Sequence, residues 1–406
     1  MSDAYLDATR LDAQSAGLSP ARLARIEAAM QAEIAAARLP GAVIAVACRG
    51  HLAYLGAFGT RDPATGAAMA PDAVFSIASM TKPMTSVAVM QLFERGQVLL
   101  GDPVSAYLPA FADLKLGAIA PDGGLTRTPL ARRPTVQDLL RHTSGLTYQN
   151  RAETAMHLAY PGSSTSAALS LTRTQAIEAL AACPLLFEPG TSWEYGFSTD
   201  VLGFIVEEVT GQTLGAYMAE NIWSPLGMAD TAFDLTDATR ARYARPLPND
   251  PITGAPQTLY HERDGEKHWE SGGGGAVSTA MDYLRFAEAL RSAGTPAGHD
   301  LLGPRTVRLM TCDHLPEASA ARIADTMDPA AEGYGFGLGF AVRRADGISA
   351  MSGTRGDYYW SGVFGTYFWI DPAEEMSCVV MAAAPGEMRL RYRQLVRALV
   401  YQAIAG

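Results

Sequence analysis

The chain has 406 residues, of which 48% are hydrophobic and 18% charged, enough to bury one large core or two smaller ones. Its formal net charge of -10 argues against nucleic acid and anionic membrane surfaces as partners, because both attract basic patches. The first ten residues hold two acids and no apolar segment, and no later stretch approaches the ~18 uninterrupted apolar residues of a membrane-spanning helix. We therefore expect a cytoplasmic protein with no membrane partner.

The cysteines lie far apart, each in an apolar or proline-adjacent stretch. They are Cys48, Cys183, Cys312 and Cys378. Their spacing is neither that of a zinc site nor that of a disulfide framework. We predict buried free thiols, and we expect no metal and no cofactor.

The N-terminal part predicts one helix and one hairpin. Ser19-Pro20 is a helix start, and apolar residues then recur at helical spacing as far as Leu39. Two apolar runs, 42–48 and 52–58, flank the turn at 49–51 and predict a β-hairpin.

A second helix is predicted at Ser79, with apolar residues over 87–93, Pro83 near its start and Gly96 after its end. At a helix N-terminus, free N–H groups and the positive end of the dipole would stabilise an oxyanion beside the serine. Lys82 follows on the same helix face, so its ammonium can reach the hydroxyl. Partial burial is expected to lower the pKa of the lysine, so that it accepts or relays a proton.

Ser-x-x-Lys is by itself a weak signal, because two common residues recur at this spacing by chance. The alternative is a helix cap followed by a solvated lysine.

Residues 98–271 are predicted to be mostly helices and long loops, without a sheet-forming run. Thr135-Val-Gln-Asp138 is similar to a capping box. Residues 147–171 form a long polar connection, either a lid or a disordered loop. Helices are predicted over 172–182, 199–209 and 214–223. Tyr195 lies just before the second of these helices. The glycine run 272–275 predicts close backbone packing beside a site rather than a nucleotide loop.

The C-terminal part predicts three strands between helices. The strands are 334–343, 358–370 and 376–382, and the helices are 278–293, 304–310 and 388–404. Residues 311–332 are predicted to form another long loop, which is, like 147–171, a candidate lid.

Strands thus fall at both ends of the chain and helices in the middle. The simplest packing places the N-terminal hairpin beside the late strands in one antiparallel sheet, flanked by the first and last helices. The predicted fold class is therefore α+β. Residues 1–97 and 272–406 would form the domain with the central sheet, 98–271 a mostly helical insert domain, and the cleft between them the active site.

Further motifs follow Ser79-Met-Thr-Lys82 in order: Leu139-Leu-Arg-His-Thr-Ser-Gly-Leu146, Pro189-Gly-Thr-Ser-Trp-Glu-Tyr195 and Pro225-Leu-Gly-Met228. With them the chain resembles the serine β-lactamase and penicillin-binding protein superfamily, and it looks closest to the class C-like branch. The stretch Gly356 to Asp371 carries Trp360-Ser-Gly362 where lactamases carry Lys-Thr-Gly. This narrows the resemblance, which spans residues 20–404, to the family VIII carboxylesterases.

The resemblance implies a serine β-lactamase-like fold and a role for each matching residue. Ser79 would be the nucleophile, Lys82 and Tyr195 the proton-transfer pair, and the N–H groups of Ser79 and Val363 the oxyanion hole. Since a free phenol titrates near pH ~10, Tyr195 serves as a base only if charged Lys82 stabilises its phenolate. Substrate contacts are expected from Tyr148, Phe197, Trp360, Ser361 and Gly362.

Three departures from the lactamase pattern bear on substrate choice. Phe197 replaces the amide of Tyr-x-Asn, Trp360 replaces the lysine that attracts carboxylates, and we expect no export signal at the N-terminus. All three favour neutral, fairly apolar esters.

The sequence therefore predicts a serine carboxylesterase that hydrolyses small, neutral, short-chain or aromatic esters through an acyl-enzyme on Ser79. The expected partner is a small-molecule ester, and the oligomeric state stays open. The alternatives are an acyltransferase, a weak β-lactamase or D-amino-acid peptidase on the same serine, and a catalytically silent ligand-binding scaffold.

Two structural alternatives stay open: Trp360 as plain core and Tyr195 as an aromatic flanking a helix. A Ser/His/Asp triad is disfavoured because the chain has no Gly-x-Ser-x-Gly elbow. We predict that His142 is structural and caps the turn into Gly145.

Overall fold

The computed structural model describes residues 12–263, 265–292 and 301–405. The helices are α1 (Pro20–Ala35), α2 (Thr81–Glu94), α3 (Val136–Leu140), α4 (Ala155–Leu158), α5 (Ser164–Ser170), α6 (Arg173–Ala182), α7 (Ser198–Thr210), α8 (Leu214–Met218), α9 (Asp237–Arg240), α10 (Ala280–Arg291), α11 (Pro304–Met310), α12 (Glu317–Thr326) and α13 (Met388–Tyr401). The strands are β1 (Gly41–Cys48), β2 (His51–Asp62), β3 (Ala67–Ala68), β4 (Phe75–Ser76), β5 (Lys115–Ile119), β6 (Leu125–Pro129), β7 (Pro184–Leu185), β8 (Val277–Ser278), β9 (Tyr334–Phe336), β10 (Ala341–Arg343), β11 (Tyr358–Ser361), β12 (Tyr367–Asp371) and β13 (Met376–Ala382).

One antiparallel sheet joins the two ends of the chain, in the order β3-β2-β1-β13-β12-β11-β10-β9. Ile44 of β1 pairs with Val380 of β13 at its centre. Both strands are buried at every residue, because helices cover the sheet. Helix α10 packs against β1, β12 and β13, and α1 packs against β1, β2 and α13. The predicted α+β fold, with the N-terminal hairpin beside the late strands, is confirmed.

The late strands number five in the described residues, not the three that the sequence predicts. The run 334–343 folds into the hairpin β9–β10, and 358–370 into the hairpin β11–β12. Each turn contains a glycine in the left-handed region, Gly339 with φ of 108° and Gly365 with φ of 109°. An apolar run interrupted by such a glycine reverses direction instead of continuing as one strand.

Three further predictions about the loops are wrong. The segment 98–271 does contain a small sheet, β6-β5-β7, whose hairpin is short and largely exposed and therefore lacks a hydrophobic signature. The connections 147–171 and 311–332 are not structureless, because they contain α4, α5 and α12. The division into two domains at residues 97 and 271 stays a prediction.

The thiols of Cys48, Cys183 and Cys378 are free and buried, as predicted. Cys312 is exposed instead, because it lies in the turn after α11. Within the described ranges, every helix is too short or too polar to cross a membrane.

Candidate active site

Ser79 lies in a short 3₁₀ turn, Ala78–Met80, that leads into α2. Helix α2 is buried along nearly all of its length and packs against α7 and α8, which fixes its start. Ala78 has φ of 46°, an uncommon left-handed conformation for alanine. Thr81 Oγ1 donates to the Ala78 carbonyl at 2.7 Å, and the hydroxyl of Tyr283 donates to the carbonyl that ends the turn at 2.8 Å. These bonds hold Ser79 at the cavity.

The cavity beside Ser79 has a volume of about 270 Å³. Residues from distant parts of the chain line it, including Ser79, Tyr148, Tyr195, Gly273, Ser361 and Val363. The structure therefore brings the predicted nucleophile, the predicted base and both predicted oxyanion-hole residues to one cavity.

Lys82 is 2% exposed, and its ammonium lies at the centre of the site. Nζ lies 3.5 Å from Ser79 Oγ and donates to the hydroxyl of Tyr148 at 3.1 Å and to the carbonyl of Gly273 at 2.5 Å. It also lies 4.6 Å from the centroid of the Tyr195 ring. One cation thus contacts the serine and both phenols.

The expectation that burial lowers the pKa of Lys82 is wrong in its net direction. Burial does lower the pKa, but the neighbouring Tyr148 and Tyr195 phenols and the Asp200 carboxyl outweigh it, so the pKa of Lys82 lies above its ordinary value. The lysine therefore stays charged at neutral pH. It can stabilise a phenolate but is a poor base.

Tyr195 lies just before α7, as predicted. Its ring stacks on Trp193 with centroids 6.4 Å apart, and Gly196 next to it packs against the backbone of Thr147, where a Cβ would collide. This close approach brings Tyr148 beside Tyr195, with ring centroids 5.6 Å apart. The Tyr195 hydroxyl is buried and makes no hydrogen bond with any described group. Catalytic hydrogen bonds often tighten only when substrate binds, so this hydroxyl is available to one.

Phe197 and Trp360 are not among the described residues that line the cavity, and their role as substrate contacts stays a prediction. Phe197 is fully buried and packs edge-on against Tyr148, with centroids 4.8 Å apart. Trp360 is 2% exposed and packs against Tyr195 and Phe336, with centroids 5.4 and 5.3 Å apart. Phe197 thus packs on Tyr148 and Trp360 on Tyr195, and neither ring lines the cavity.

The predicted oxyanion hole lies where β11 ends. Gly362 itself does not line the cavity, although Ser361 and Val363 on either side do. Gly362 packs so closely on the Ile77 carbonyl that a Cβ would collide with it. Thr366 Oγ1 donates to that same carbonyl at 3.0 Å. This packing ties the end of β11 to the segment that carries Ser79.

Sequence reasoning missed a buried polar chain that ends at Asp200. Ser164 Oγ bonds the hydroxyl of Tyr148 at 2.5 Å and donates to Asp200 Oδ2 at 2.5 Å. Ser271 Oγ and the N–H of Gly273 donate to Asp200 Oδ1 at 2.7 and 2.9 Å. Burial raises the pKa of the Asp200 carboxyl, against the lowering effect of Lys82 and these bonds. In the sequence, the glycine run at 272–275 was the only sign of this network. The run does pack beside the site, since Gly273 and Gly274 line the cavity.

These hydrogen bonds determine which partner the Tyr148 hydroxyl donates to and which it accepts from. A hydroxyl has one proton, and Ser164 donates its own to Asp200, so Tyr148 donates to Ser164 and accepts from Lys82. The Tyr148 proton therefore lies in the hydrogen bond to Ser164, whereas the Tyr195 proton lies in no hydrogen bond to a described group.

His142 ends α3 in the left-handed conformation, with φ of 57°. The N–H of His142 donates to the carbonyl of Leu139, and that of Thr143 to the carbonyl of Asp138, a Schellman arrangement. Its ring lies 5.0 Å from that of Tyr195. Burial, and next the charge of Lys82, hold the pKa of His142 well below its ordinary value, so the ring is neutral.

In the part of the chain that the structure describes, no three His, Cys, Asp or Glu side chains are grouped to hold a metal ion. Among the described groups, the Lys82 ammonium lies beside Ser79 Oγ and the phenols of Tyr148 and Tyr195.

The chain is similar to known proteins over nearly its whole length. Residues 24–402 match the Beta-lactamase family. The chain is 31% identical to esterase EstB of Burkholderia gladioli, over 94% of this chain and 94% of that protein. It is 30% identical to lovastatin esterase of Penicillium rubens, over 93% of this chain and 98% of that protein. The solved structure of EstCE1, a hydrolase with promiscuous acyltransferase activity, aligns with a TM-score of 0.77 and 29% identity over 94% of this chain and 98% of that one. The chain therefore belongs to the Beta-lactamase family.

Proposed function

We propose that this protein is a serine esterase that hydrolyses small, neutral, short-chain or aromatic esters through an acyl-enzyme on Ser79. The observation that carries the proposal is the position of the charged Lys82 ammonium, 3.5 Å from Ser79 Oγ and 4.6 Å from the Tyr195 ring centroid, behind two residues that line one cavity. The similarity to EstB and to lovastatin esterase supports ester hydrolysis.

In this proposal Tyr195 is the general base. Its ring lies 4.6 Å from the buried Lys82 ammonium, and its hydroxyl has no hydrogen bond in the described structure that would compete with Ser79. The phenolate removes the proton of Ser79 as Oγ attacks the ester carbonyl, and the electron pair of the C=O bond moves onto the oxygen. Collapse of this intermediate breaks the ester C–O bond, and Tyr195 returns the proton to the departing alcohol. Water repeats the sequence and releases the acid.

The backbone N–H groups of Ser79 and Val363 would hold the oxyanion. Losing one such donor typically costs about 2.7 to 4 kcal/mol of transition-state stabilisation. Lys82 adds a positive charge that need not move during the reaction, because its partners hold it in place.

The size of the cavity supports the substrate class. About 270 Å³ is at or below the lower end of the range for ligand pockets, about 300 to 1,000 Å³, which suits a short acyl group and a small alcohol.

The test is hydrolysis of p-nitrophenyl butyrate by the wild type and by Ser79→Ala. We expect turnover and a butyryl adduct on the wild-type protein by intact-protein mass spectrometry, and neither with Ser79→Ala. The variant should keep the wild-type circular dichroism spectrum, since a small change at a helix start costs about 1 kcal/mol. Wild-type turnover by Ser79→Ala would refute the mechanism. A wild type that never acylates would favour the silent scaffold.

A second candidate function is acyl transfer, favoured by the similarity to EstCE1. The same acyl-enzyme would then pass its acyl group to an alcohol instead of water. Adding a primary alcohol to the p-nitrophenyl butyrate assay distinguishes the two, because transfer yields a new ester at the expense of butyrate. Nitrocefin in the same assay tests for weak β-lactamase activity.

A further inference from the structure

Helix α13 places three arginines, Arg389, Arg393 and Arg397, one turn apart on one face. Arg397 is paired with the Asp357 carboxylate at 2.7 Å. Arg393 is 8% exposed, forms no ion pair within the described residues, and its Nε has no hydrogen-bond partner. Burial, and next the charge of Arg389, lower the pKa of Arg393 to about 10, and Asp328 opposes this only weakly. A buried cation without a counter-ion is costly, so a structural role alone explains this arginine poorly.

Among the described residues, Arg393 makes one hydrogen bond, and it is to the candidate oxyanion hole. Its Nη2 donates to the carbonyl of Gly362 at 2.7 Å, and the N–H of Gly365 donates to the same carbonyl at 3.2 Å. That carbonyl and the N–H of Val363 belong to one peptide unit. Because a trans peptide is planar, its C=O and N–H point in opposite directions. A donor that holds the carbonyl therefore sets the direction of the N–H.

The Val363 N–H donates to no group in the described structure, and Val363 lines the cavity with Ser79. Other contacts hold the ends of the turn: the N–H of Gly362 donates to the Thr366 carbonyl at 2.8 Å, and that of Ala384 to the Phe364 carbonyl at 2.8 Å. Within the described ranges, only the two bonds to the Gly362 carbonyl act on the peptide unit that carries the oxyanion donor.

We propose that Arg393 is a positioning residue of the oxyanion hole: it holds the Gly362–Val363 peptide with its N–H directed into the cavity, and its charge is balanced when the oxyanion forms on the Ser79 adduct. This inference rests on the proposed esterase function. The charge develops as the bond from Ser79 Oγ to the carbonyl carbon forms and the C=O electron pair moves onto oxygen. Arg393 therefore acts mainly on the transition state and little on ester binding.

The competing explanation is that Arg393 binds a carboxylate of the substrate, since Arg393 and Arg389 both border the cavity. The two explanations differ in which measurement changes. Positioning affects every ester and every tetrahedral adduct, whereas carboxylate binding affects only anionic substrates.

The experiment compares Arg393→Met and Arg393→Lys with the matched control Arg391→Met. Arg391 lies on the same helix, is mostly exposed, and pairs with Glu33 at 3.1 Å, away from the cavity. For each protein, kcat and KM are measured on p-nitrophenyl acetate and on an ester that carries a distal carboxylate. The inhibition constant of phenylboronic acid, which forms a tetrahedral anionic adduct with the serine, is measured in parallel.

We expect Arg393→Met to lower kcat/KM on both esters by about 10²-fold and to weaken boronate binding by a similar factor, as loss of an oxyanion donor does. KM on the neutral ester should change by less than about threefold, because ground-state binding does not use the oxyanion. Arg393→Lys should recover part of the loss, since an ammonium can still donate to the carbonyl. Arg391→Met should stay within about twofold of the wild type, as expected for a surface substitution.

Three results would overturn the proposal: Arg393→Met as active as Arg391→Met, a loss confined to KM of the carboxylate ester, or unchanged boronate affinity. If Arg393→Met does not fold, the test is the infrared C=O stretching band of the acyl-enzyme, measured in Arg393→Lys and in the wild type. That band should shift to higher wavenumber as the hole weakens, and an unshifted band together with wild-type kinetics would refute the proposal. A wild type that forms no acyl-enzyme would refute the esterase function itself, before any Arg393 variant is made.

Discussion

The ammonium of Lys82 donates to the hydroxyl of Tyr148 at 3.1 Å, and Tyr148 in turn is bonded to Ser164 at 2.5 Å. This second tyrosine anchors the lysine in the position from which its charge also acts on Tyr195, 4.6 Å from the ring centroid. The two phenols thus share one cation but differ in what their hydroxyls do. Tyr148 is fully engaged, whereas the Tyr195 hydroxyl has no partner among the described groups.

We expect Tyr148→Phe to lower kcat by about tenfold, because the lysine loses one of its anchoring bonds but keeps its charge and its bond to Gly273. Tyr195→Phe should cost at least ~10²-fold, because it removes the base. Steady-state kinetics on p-nitrophenyl butyrate compares them. Equal losses, or a larger loss for Tyr148→Phe, would mean that Tyr148 is the base.

Lys82→Ala and Tyr195→Phe should not be additive. Each should lower kcat by ~10²-fold or more, and the double variant should lose little beyond the worse single one, because the phenolate and its cation act as a unit. A double-mutant cycle in kcat measures this coupling. Losses that simply multiply would show that the two residues have separate roles.

Asp138 predicts how stability depends on pH. It is fully buried and accepts from Arg132 at 2.6 Å, Arg141 at 3.0 Å and the N–H of Thr135 at 2.9 Å. Burial by itself raises the pKa of Asp138, but these donors outweigh burial and lower it to about 2, from an ordinary 3.8. The stabilisation is therefore present above pH 3.8 and lost as the pH falls through about 2.

One unit of pKa is worth about 1.4 kcal/mol, so the lowered pKa of Asp138 corresponds to about 2 kcal/mol of stability. Solvent screening of the half-exposed Arg132 reduces this value. Asp138→Asn should therefore be destabilised by roughly that amount at pH 7, and its difference from the wild type should shrink below about pH 4. Urea unfolding across this range measures the difference. A difference that stays constant with pH would show that the carboxylate charge contributes nothing.

Substitutions of Trp360 test whether the aromatic ring packed on Tyr195 affects kcat or KM. Trp360→Ala removes a buried ring, which typically costs about 3 to 5 kcal/mol of stability, and should lower kcat with little change in KM because Tyr195 loses its support. Trp360→Phe should keep most of kcat, since it retains a ring against Tyr195. Thermal unfolding and ester kinetics provide both readouts. A raised KM with unchanged kcat would instead support the original prediction, that the indole contacts the substrate.

The sequence by itself determined the features that depend on neighbours a few residues apart. The capping box at Thr135, the hairpin β1–β2 and the start of the helix after Ser79 are each specified by local hydrogen bonding or by the period of apolar residues. The family resemblance that the motifs carry also predicted which residues would meet: Ser79, Tyr195 and Val363 line one cavity, and Lys82 Nζ lies 3.5 Å from Ser79 Oγ.

Tertiary structure alone decided which side chains contact that cavity and how they are charged. The bond from Lys82 to Gly273 spans 191 residues of chain, and the bond from Arg393 to Gly362 joins a helix to the end of a strand. Contacts of this kind leave no periodic trace in sequence, because they depend on how separate elements pack. The raised pKa of Lys82 has the same origin: burial lowers it, and phenols and a carboxyl brought in from distant segments reverse the sign.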